Sequence, residues 1–183
     1  DGGSTVLSSA SVSFELLPAA ATVAMQSSMT IYVDNDSGND DHPGTDPGSP
    51  KKTIRAGIDA VDVEGGTVVV RAGTYDIAAI LEVPLGVTLD LNPGVTLRFA
   101  PADPRIGLTV SGTLLAQGTA AQPITFTSAA ASPQPGDWQG IAFTPESSAD
   151  SLLDHVVVEY AFHGVGLSDP AADAANWSAL VET

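Results

Sequence analysis

Cysteine is absent from the 183 residues of this chain, and aromatic residues make up only 5% of them. Without cysteine the fold has no disulfide framework and no thiolate chemistry. Hydrophobic residues still amount to 43% of the sequence and charged residues to only 15%, which excludes an intrinsically disordered chain. The length suits one domain, and its core must be built mainly from aliphatic side chains.

Positive charge is also scarce, because 6 Lys and Arg stand against 22 Asp and Glu, for a net charge of −16. Such a chain repels phosphate backbones and anionic lipids, so nucleic acid and membrane surfaces are poor partners. No run approaches the ~18–20 apolar residues of a membrane helix, and we expect no membrane insertion. The first residue is Asp1 rather than Met. We therefore expect either a trimmed chain or one whose signal peptide has been removed, and we expect an extracellular location, including the cell surface.

An eight-residue sequence repeat occurs as two similar copies in succession, at residues 86–93 and 94–101. A period of two puts the apolar residues of both copies on one face of extended chain. These residues are Val87, Leu89, Leu91, Val95, Leu97 and Phe99. Pro-Gly pairs such as Pro93-Gly94 end each run. The repeating unit is therefore a very short strand closed by a sharp corner.

Many such strands predict an all-β protein, and two architectures compete. A sandwich or meander would use Asn-Gly or Asp-Gly hairpin turns, and neither dipeptide lies between the predicted strands. Uneven corners instead favour a short right-handed parallel β-helix, in which each strand stacks on the strand one turn earlier. We expect roughly three coils at most, with Asp90 and Arg98 on the outside.

One helix is predicted at about 51–63, because Ile54, Ile58 and Val61 recur at i, i+4 and i+7. In a β-helix this segment is placed to cap the N-terminal end of the core. Residues 1–30 fall outside the pattern and form a strand-like arm, separate from a β-helix domain at 31–183. The arm either packs on its own domain or adds a strand to a neighbouring molecule. A short terminal helix is predicted at 171–181.

A long polar loop follows the first strand of the domain and carries four closely spaced carboxylates: Asp34, Asp36, Asp40 and Asp41. Carboxylates beside a Gly corner suit Ca²⁺, which takes 6–8 oxygen ligands. The loop lacks the downstream Glu of an EF-hand. The alternative is a solvated loop without a cofactor, whose Asp side chains cap turns.

Candidates for catalysis and sugar binding are few. In a strand predicted at 152–160, Val156, Val158 and Tyr160 face the core, and His155, Val157 and Glu159 face outward. His155 and Glu159 lie ~13–14 Å apart at ~3.3 Å per residue, too far to cooperate directly, whereas His163 could approach Glu159 around a corner. Trp138 and Tyr75 are possible sugar-stacking platforms, and each also fits an inward position. The residues therefore favour a protein without catalysis.

Residues 31–167 also resemble a known family. The segment from Tyr32-Val-Asp to Val70-Arg-Ala-Gly-Thr-Tyr75 is similar to the start of secreted right-handed parallel β-helix proteins of the pectate-lyase-like superfamily. Trp138-Gln-Gly-Ile-Ala-Phe143 and the segment 153–160 resemble the repeats of bacterial cell-surface β-helix proteins. The resemblance implies the fold. It also implies that catalytic members use calcium-binding carboxylates and an Arg or Lys base, and the strands after residue 75 show no clear cluster of this kind.

Two functions follow as expectations. The first is an extracellular, non-catalytic structural protein that associates head to tail with copies of itself, through the ends of the β-helix and the arm, into a surface assembly or filament. The alternative is a Ca²⁺-dependent carbohydrate-active protein, either lyase-like or carbohydrate-binding, with a polysaccharide as partner.

Overall fold

The computed structural model of the chain describes residues 29–61 and 65–167. This part of the chain forms short strands and one short helix. In chain order they are β1 (Met29–Val33), α1 (Ile54–Ala60), β2 (Gly66–Val70), β3 (Gly73–Ile77), β4 (Leu81–Val83), β5 (Val87–Leu91), β6 (Val95–Phe99), β7 (Leu108–Val110), β8 (Thr113–Gln117), β9 (Ile124–Ser128), β10 (Ile141–Phe143), β11 (Leu152–Asp154), β12 (Val156–Val158) and β13 (Val165–Leu167).

The strands form three parallel sheets, which we name A, B and C. Sheet A has the order β1-β2-β5-β8-β11, sheet B the order β3-β6-β9-β12, and sheet C the order β4-β7-β10-β13. After β1 the chain contributes one strand to sheet A, one to sheet B and one to sheet C in each coil, and it does so four times. The predicted parallel β-helix is therefore confirmed, but with four coils rather than three. The extra coil fits because some corners are very short, such as residues 71–72 between β2 and β3.

The eight-residue sequence repeat at 86–101 forms β5 and β6, two successive sides of the second coil. All six of its alternating apolar side chains are buried, as predicted. The corner between the copies places Gly94 at φ 84°, a conformation that favours glycine. The Gly94 N–H donates to the carbonyl of Gln122 in the corner one coil further on, at 3.2 Å. The repeat therefore encodes two walls and the corner that joins them.

Inside the coils, side chains at equivalent positions of successive strands form ladders. Leu97 pairs in register with Phe126, and Val83 with Val110, and all four are buried. Two larger rings fill the core between coils: Phe99 and Trp138 stack with centroids 4.3 Å apart and planes 4° apart. The core is therefore mainly aliphatic, and its buried aromatic residues in the described part are Tyr75, Phe99, Phe126 and Trp138. In this part of the chain no helix is long and apolar enough to cross a membrane.

The helix α1 is shorter than predicted, covering Ile54–Ala60 rather than 51–63. Thr53 is an extended N-cap whose hydroxyl accepts a hydrogen bond from the Ala56 N–H at 3.2 Å. The chain leaves the helix at Val61, which has extended φ and ψ. Gly57 lies directly on the first two strands, because a Cβ there would be 2.5 Å from Val33 Cγ2. The helix therefore covers the N-terminal end of the core, as expected.

The loop at 34–51 covers the outer edge of β1. The Tyr32 N–H donates to the Gly44 carbonyl at 2.8 Å, and the Tyr32 carbonyl accepts from the Lys51 N–H at 2.8 Å. The Asp34 N–H donates to the Lys51 carbonyl at 2.9 Å. At the N-terminal end of the coils, α1 thus covers the core, and this loop covers the outer edge of β1.

The strand predicted at 152–160 is wrong as a single element, because β11 and β12 are separated by a corner at His155, whose φ is 51°. Val156 and Val158 are half-buried and pack against the core, as predicted. Tyr160 was predicted to face the core, but it is exposed and has a φ of 61°. Most of the predicted arm and the helix predicted at 171–181 lie outside the described residues. Met29 and Thr30, at the end of the arm, begin β1.

Candidate functional site

The first candidate site is the acidic loop, where Asp34 is already engaged. Its carboxylate accepts hydrogen bonds from the N–H groups of Asp36 and Ser37, from the Ser37 hydroxyl at 2.8 Å and from Arg71 at 3.1 Å. Burial alone would raise the pKa of Asp34, but the hydrogen bonds from Ser37, Arg71 and Asp36 outweigh it and lower the pKa to about 2. Asp34 therefore closes a turn and ties the loop to the corner after β2.

Asp40 has a similar role at the other end of the loop. Its carboxylate accepts from the N–H groups of Lys52 and Thr53, both at 2.8 Å, and from the Thr53 hydroxyl at 3.0 Å. Burial would raise the pKa of Asp40, but these hydrogen bonds and the charge of Lys51 lower it. The carboxylate thus anchors the residues that lead into α1.

The four predicted calcium ligands do not form one cluster. Asp36 and Asp41 are exposed, while Asp34 and Asp40 bind separate turns. Among the residues that the structure describes, no three His, Asp or Glu side chains are grouped so that they could hold a metal ion. The hydrogen bonds favour the turn-capping interpretation of Asp34 and Asp40. Calcium binding by this loop stays a prediction.

The two aromatic residues considered for sugar stacking are buried. Trp138 has no exposed surface, its ring stacks on Phe99, and its indole N–H donates to the Glu159 carbonyl at 3.0 Å. The Tyr75 hydroxyl donates to the Arg71 carbonyl at 2.9 Å, and burial raises the pKa of Tyr75 to about 12. Both rings therefore take the inward position that the sequence also allowed, and neither offers a face to a sugar.

The polar residues considered for catalysis are held by different partners. His155 Nδ1 lies 2.8 Å from a carboxylate oxygen of Asp154, and Glu159 accepts from the Thr127 hydroxyl at 3.2 Å. His163 packs at the edge of the Phe162 ring, with centroids 4.4 Å apart. His155 and Glu159 form no ion pair or hydrogen bond with each other among the described contacts, so they do not act as one acid–base unit.

Arg98 and Asp90, the two charged residues predicted on the outside of the coils, differ in their surroundings. Arg98 forms two hydrogen bonds to Asp76, its register partner on β3, at 2.7 and 2.9 Å. Asp90 is partly buried on the outside of sheet A, and this burial raises its pKa. Both residues face outward, as predicted.

A candidate interaction site lies instead at the C-terminal coil, residues 152–167. Five of the seven large hydrophobic side chains that are exposed in the described part of the chain belong to this coil. They are Leu152, Val157, Tyr160, Phe162 and Leu167. Leu152 and Val157 lie at outward register positions. The sequence predicts a cap at one end only, and it does not identify Leu167 as exposed, because the alternation of apolar residues is the same in a covered and an uncovered coil.

The ladder of sheet C shows why Leu167 is exposed. Val83, Val110, Phe143 and Leu167 occupy equivalent inward positions on four successive strands. The exposed fraction is 1% for Val83 and 0% for Val110, and it rises to 63% for Leu167 on the last strand. Leu167 thus occupies the inward register position of the last described strand, and the described residues place no further strand beyond it.

The strand edges at this coil are also unpaired in the described part. β11, β12 and β13 are the last strands of sheets A, B and C, and each pairs on one side only. Parallel strand edges present N–H and C=O groups that bind another strand, a loop or water. At the N-terminal end, α1 covers the core and loop 34–51 covers the edge of β1, although β3 and β4 also pair on one side only. The described part of the C-terminal coil carries no comparable cover over its inward side chains.

Three parallel sheets wound into successive coils define the class of parallel β-helix proteins. Within that class, a family model described as a pectate-lyase like beta helix domain matches residues 62–165, more than half of the chain. The chain therefore belongs to the pectate-lyase-like β-helix family. No curated protein and no solved structure matches it. Because one fold carries many unrelated functions, the function has to be argued from particular residues.

Proposed function

We propose that this chain is an extracellular, non-catalytic structural protein that associates with copies of itself through the C-terminal coil. The observation that carries the proposal is the contrast between the two ends. Loop 34–51 and α1 cover β1 and its core, whereas the last described positions of the inward ladders, Val158 and Leu167, are half-exposed or exposed.

Energetics support contact at this coil. Full burial of one Leu or Val side chain stabilises a complex by roughly 1.5–3 kcal/mol before the cost of association. A partner that also pairs with the edges of β11, β12 and β13 satisfies backbone groups that would otherwise bind water. Both effects act on the same surface, so a second copy placed there gains apolar burial and strand pairing together.

The geometry of the contact decides the assembly. Two C-terminal coils that face each other use the same surface twice and make a closed dimer. A C-terminal coil that docks on the closed N-terminal end of the next copy, with help from its arm, makes an open filament. Both assemblies depend on the C-terminal coil, and both are abolished by placing a charge at Leu167.

The non-catalytic part of the proposal is supported by the pairing of the polar residues. His155 and Glu159 bind different partners, and Trp138 and Tyr75 are buried. The carbohydrate-active alternative predicts an unsaturated product when the protein is incubated with uronate polymers and Ca²⁺, measured by ultraviolet absorbance. The structural proposal predicts no product.

Calcium binding at loop 34–51 remains part of the carbohydrate-active alternative. Isothermal titration of Ca²⁺ into chelator-treated protein tests it directly. Binding heat that is lost in the variant Asp36→Asn would support a site in this loop. An absence of both heat and thermal shift would leave turn capping as the role of Asp34 and Asp40.

Self-association is tested by size-exclusion chromatography with light scattering over a range of protein concentrations. The unaltered chain is expected to show a mass that rises with concentration, and Leu167→Asp to stay monomeric at every concentration. The matched control is Leu85→Asp, because Leu85 is 72% exposed and lies between β4 and β5 rather than on the C-terminal coil.

The control variant is expected to associate like the unaltered chain, since it adds the same charge to an exposed leucine elsewhere. A concentration-independent monomer for the unaltered chain would overturn the proposal. So would equal association of Leu167→Asp and the unaltered chain, because the contact would then lie on another surface.

A further inference from the structure

A groove separates the start of α1 from the corner between β3 and β4, residues 78–80. Its volume is about 500 Å³, within the range of small-molecule sites in proteins. Lys52, Thr53 and Arg55 line one side, and the segment 74–81 lines the other. The groove is distant in the fold from the C-terminal coil, since α1 and β3 belong to the first part of the coil stack.

The lining of the groove is largely aliphatic on the β3–β4 side. Ile77 and Leu81 are buried in the wall, while Ile80 is exposed although it is a large apolar residue. Ala78 and Ala79 complete the apolar part of this side, and Thr74 and Asp76 are its polar residues. An apolar ligand body is therefore favoured here, because it would cover an isoleucine that now faces water.

Two basic residues line the opposite side of the groove, and Asp59 balances the charge of one of them, Arg55. The Arg55 guanidinium donates to the Ile80 carbonyl at 3.4 Å and pairs with Asp59 at 3.3 Å, so it spans the groove toward the β3–β4 corner. Lys52 is exposed, and its ammonium has no partner among the described contacts. Asp76, the acidic residue of the lining, is neutralised by its two hydrogen bonds from Arg98.

A second, smaller depression of about 190 Å³ adjoins the groove and shares Ile80 with it. It is lined by Arg105, whose side chain is fixed by a hydrogen bond to the Gly136 carbonyl at 2.7 Å. Three of the six Lys and Arg residues of the chain, Lys52, Arg55 and Arg105, thus line two neighbouring depressions. In a chain of net charge −16, half of the basic residues therefore lie at these two depressions, and Lys52 is the one among them without a partner in the described contacts.

We propose that this groove binds an amphiphilic organic anion, in which a carboxylate, sulfate or sulfonate is joined to an aliphatic or aromatic body. Lys52 and Arg55 hold the acidic group, and the aliphatic side of the groove covers the apolar body. The absence of an exposed aromatic face in the described lining favours such a ligand over a neutral sugar. The proposal is independent of self-association at the C-terminal coil.

The test is a fluorescence titration of the full chain with 8-anilinonaphthalene-1-sulfonate, an aromatic sulfonate. One saturable site is expected. Lys52→Gln should weaken binding about tenfold through loss of the ammonium. Ala79→Trp should abolish saturable binding by filling the groove, and its exposed corner position should leave the melting temperature nearly unchanged. Lys51→Gln is the matched control, because it removes the same charge from a residue outside the groove lining and should bind as the unaltered chain does.

The dye also binds exposed apolar surfaces, so Leu167→Asp separates the groove from the C-terminal coil. Saturable binding that persists in Leu167→Asp and is lost in Ala79→Trp would support the proposal. Binding that is lost in Leu167→Asp, or that is the same in Lys52→Gln, Ala79→Trp and the unaltered chain, would overturn it. An absence of saturable binding to the unaltered chain would overturn it as well.

Discussion

The side chain of Asp34 holds a turn at the start of loop 34–51 and, through Arg71, connects this loop to the corner after β2. Arg71 binds this carboxylate at 3.1 Å and the Pro47 carbonyl at 2.7 Å. A charged acceptor that receives several hydrogen bonds contributes more to stability than a neutral one. The lowered pKa of Asp34, about 2, expresses the same stabilisation.

We predict that Asp34→Asn destabilises the fold at neutral pH by about 1–2 kcal/mol, since one pKa unit corresponds to about 1.4 kcal/mol. The folded pKa of about 2 is below the ordinary value of 3.8. The stabilisation is therefore present above pH 3.8 and is lost as the pH falls towards about 2. Urea unfolding of the unaltered chain and of Asp34→Asn, at neutral pH and near pH 2, measures this difference in the free energy of unfolding. Asp36→Asn is the control, and an equal loss in both variants would contradict the assignment.

The stacked pair of Phe99 and Trp138 is the largest aromatic contact of the core. We predict that Trp138→Ala lowers the free energy of unfolding by about 3–5 kcal/mol, the usual range for a buried large aromatic residue. Phe162→Ala, at an exposed ring, should cost less than about 1 kcal/mol. Denaturant unfolding measures both, and a small effect of Trp138→Ala would mean that the ring is not a core residue.

At the residue scale the sequence predicts most inward positions, because alternation in short strands identifies one face. It does not decide the position of Trp138 or Tyr75, since an aromatic residue suits both a core and a binding surface. Burial beside Phe99 decides the first case, and a hydrogen bond to the Arg71 carbonyl decides the second. The partners of Asp34 also could not be predicted, because Arg71 lies far from it in sequence.

The helix α1 depends on a close approach of its backbone to β1 and β2. A Cβ at Gly57 would lie 2.5 Å from Val33 Cγ2 and 2.9 Å from Val68 Cγ1. Gly57 therefore lets the helix seal the core. An alanine in its place has to push the helix outward or displace two buried valines.

We predict that Gly57→Ala destabilises the protein by about 1–3 kcal/mol through overpacking. The opposite sign is expected for an exposed helical glycine, where alanine stabilises by roughly 0.5–1 kcal/mol. Thermal and urea unfolding measure the change. Asp59→Ala, on the exposed face of α1, should stay within about 0.5 kcal/mol. Stabilisation by Gly57→Ala would show that α1 does not pack closely on the strands.

At the element scale the existence of strands and helix is predictable, and their limits are not. The apolar spacing at Ile54, Ile58 and Val61 predicts a helix, but Thr53 as N-cap and extended backbone at Val61 shorten it. The corner at His155 was missed because the segment contains neither Gly nor Pro. A left-handed corner at a histidine has no clear sequence signal.

Within the described residues the coil stack has unlike ends. At the N-terminal end α1 and loop 34–51 cover the core and the edge of β1, whereas the described C-terminal coil presents Leu167 and the edges of β11, β12 and β13. The sequence predicts the parallel coil and one capped end, because both follow from local patterns. It does not predict four coils, since the number of coils depends on how tightly the corners close.

Hydrogen exchange of the full chain at low and high protein concentration tests the proposed self-association most directly. The amides of β11, β12 and β13 should become more protected as concentration rises, while those of the inner strands β5 and β6 stay unchanged. Leu167→Asp should remove the concentration dependence, and Leu85→Asp should retain it. Equal exchange of the C-terminal coil at all concentrations would contradict the account.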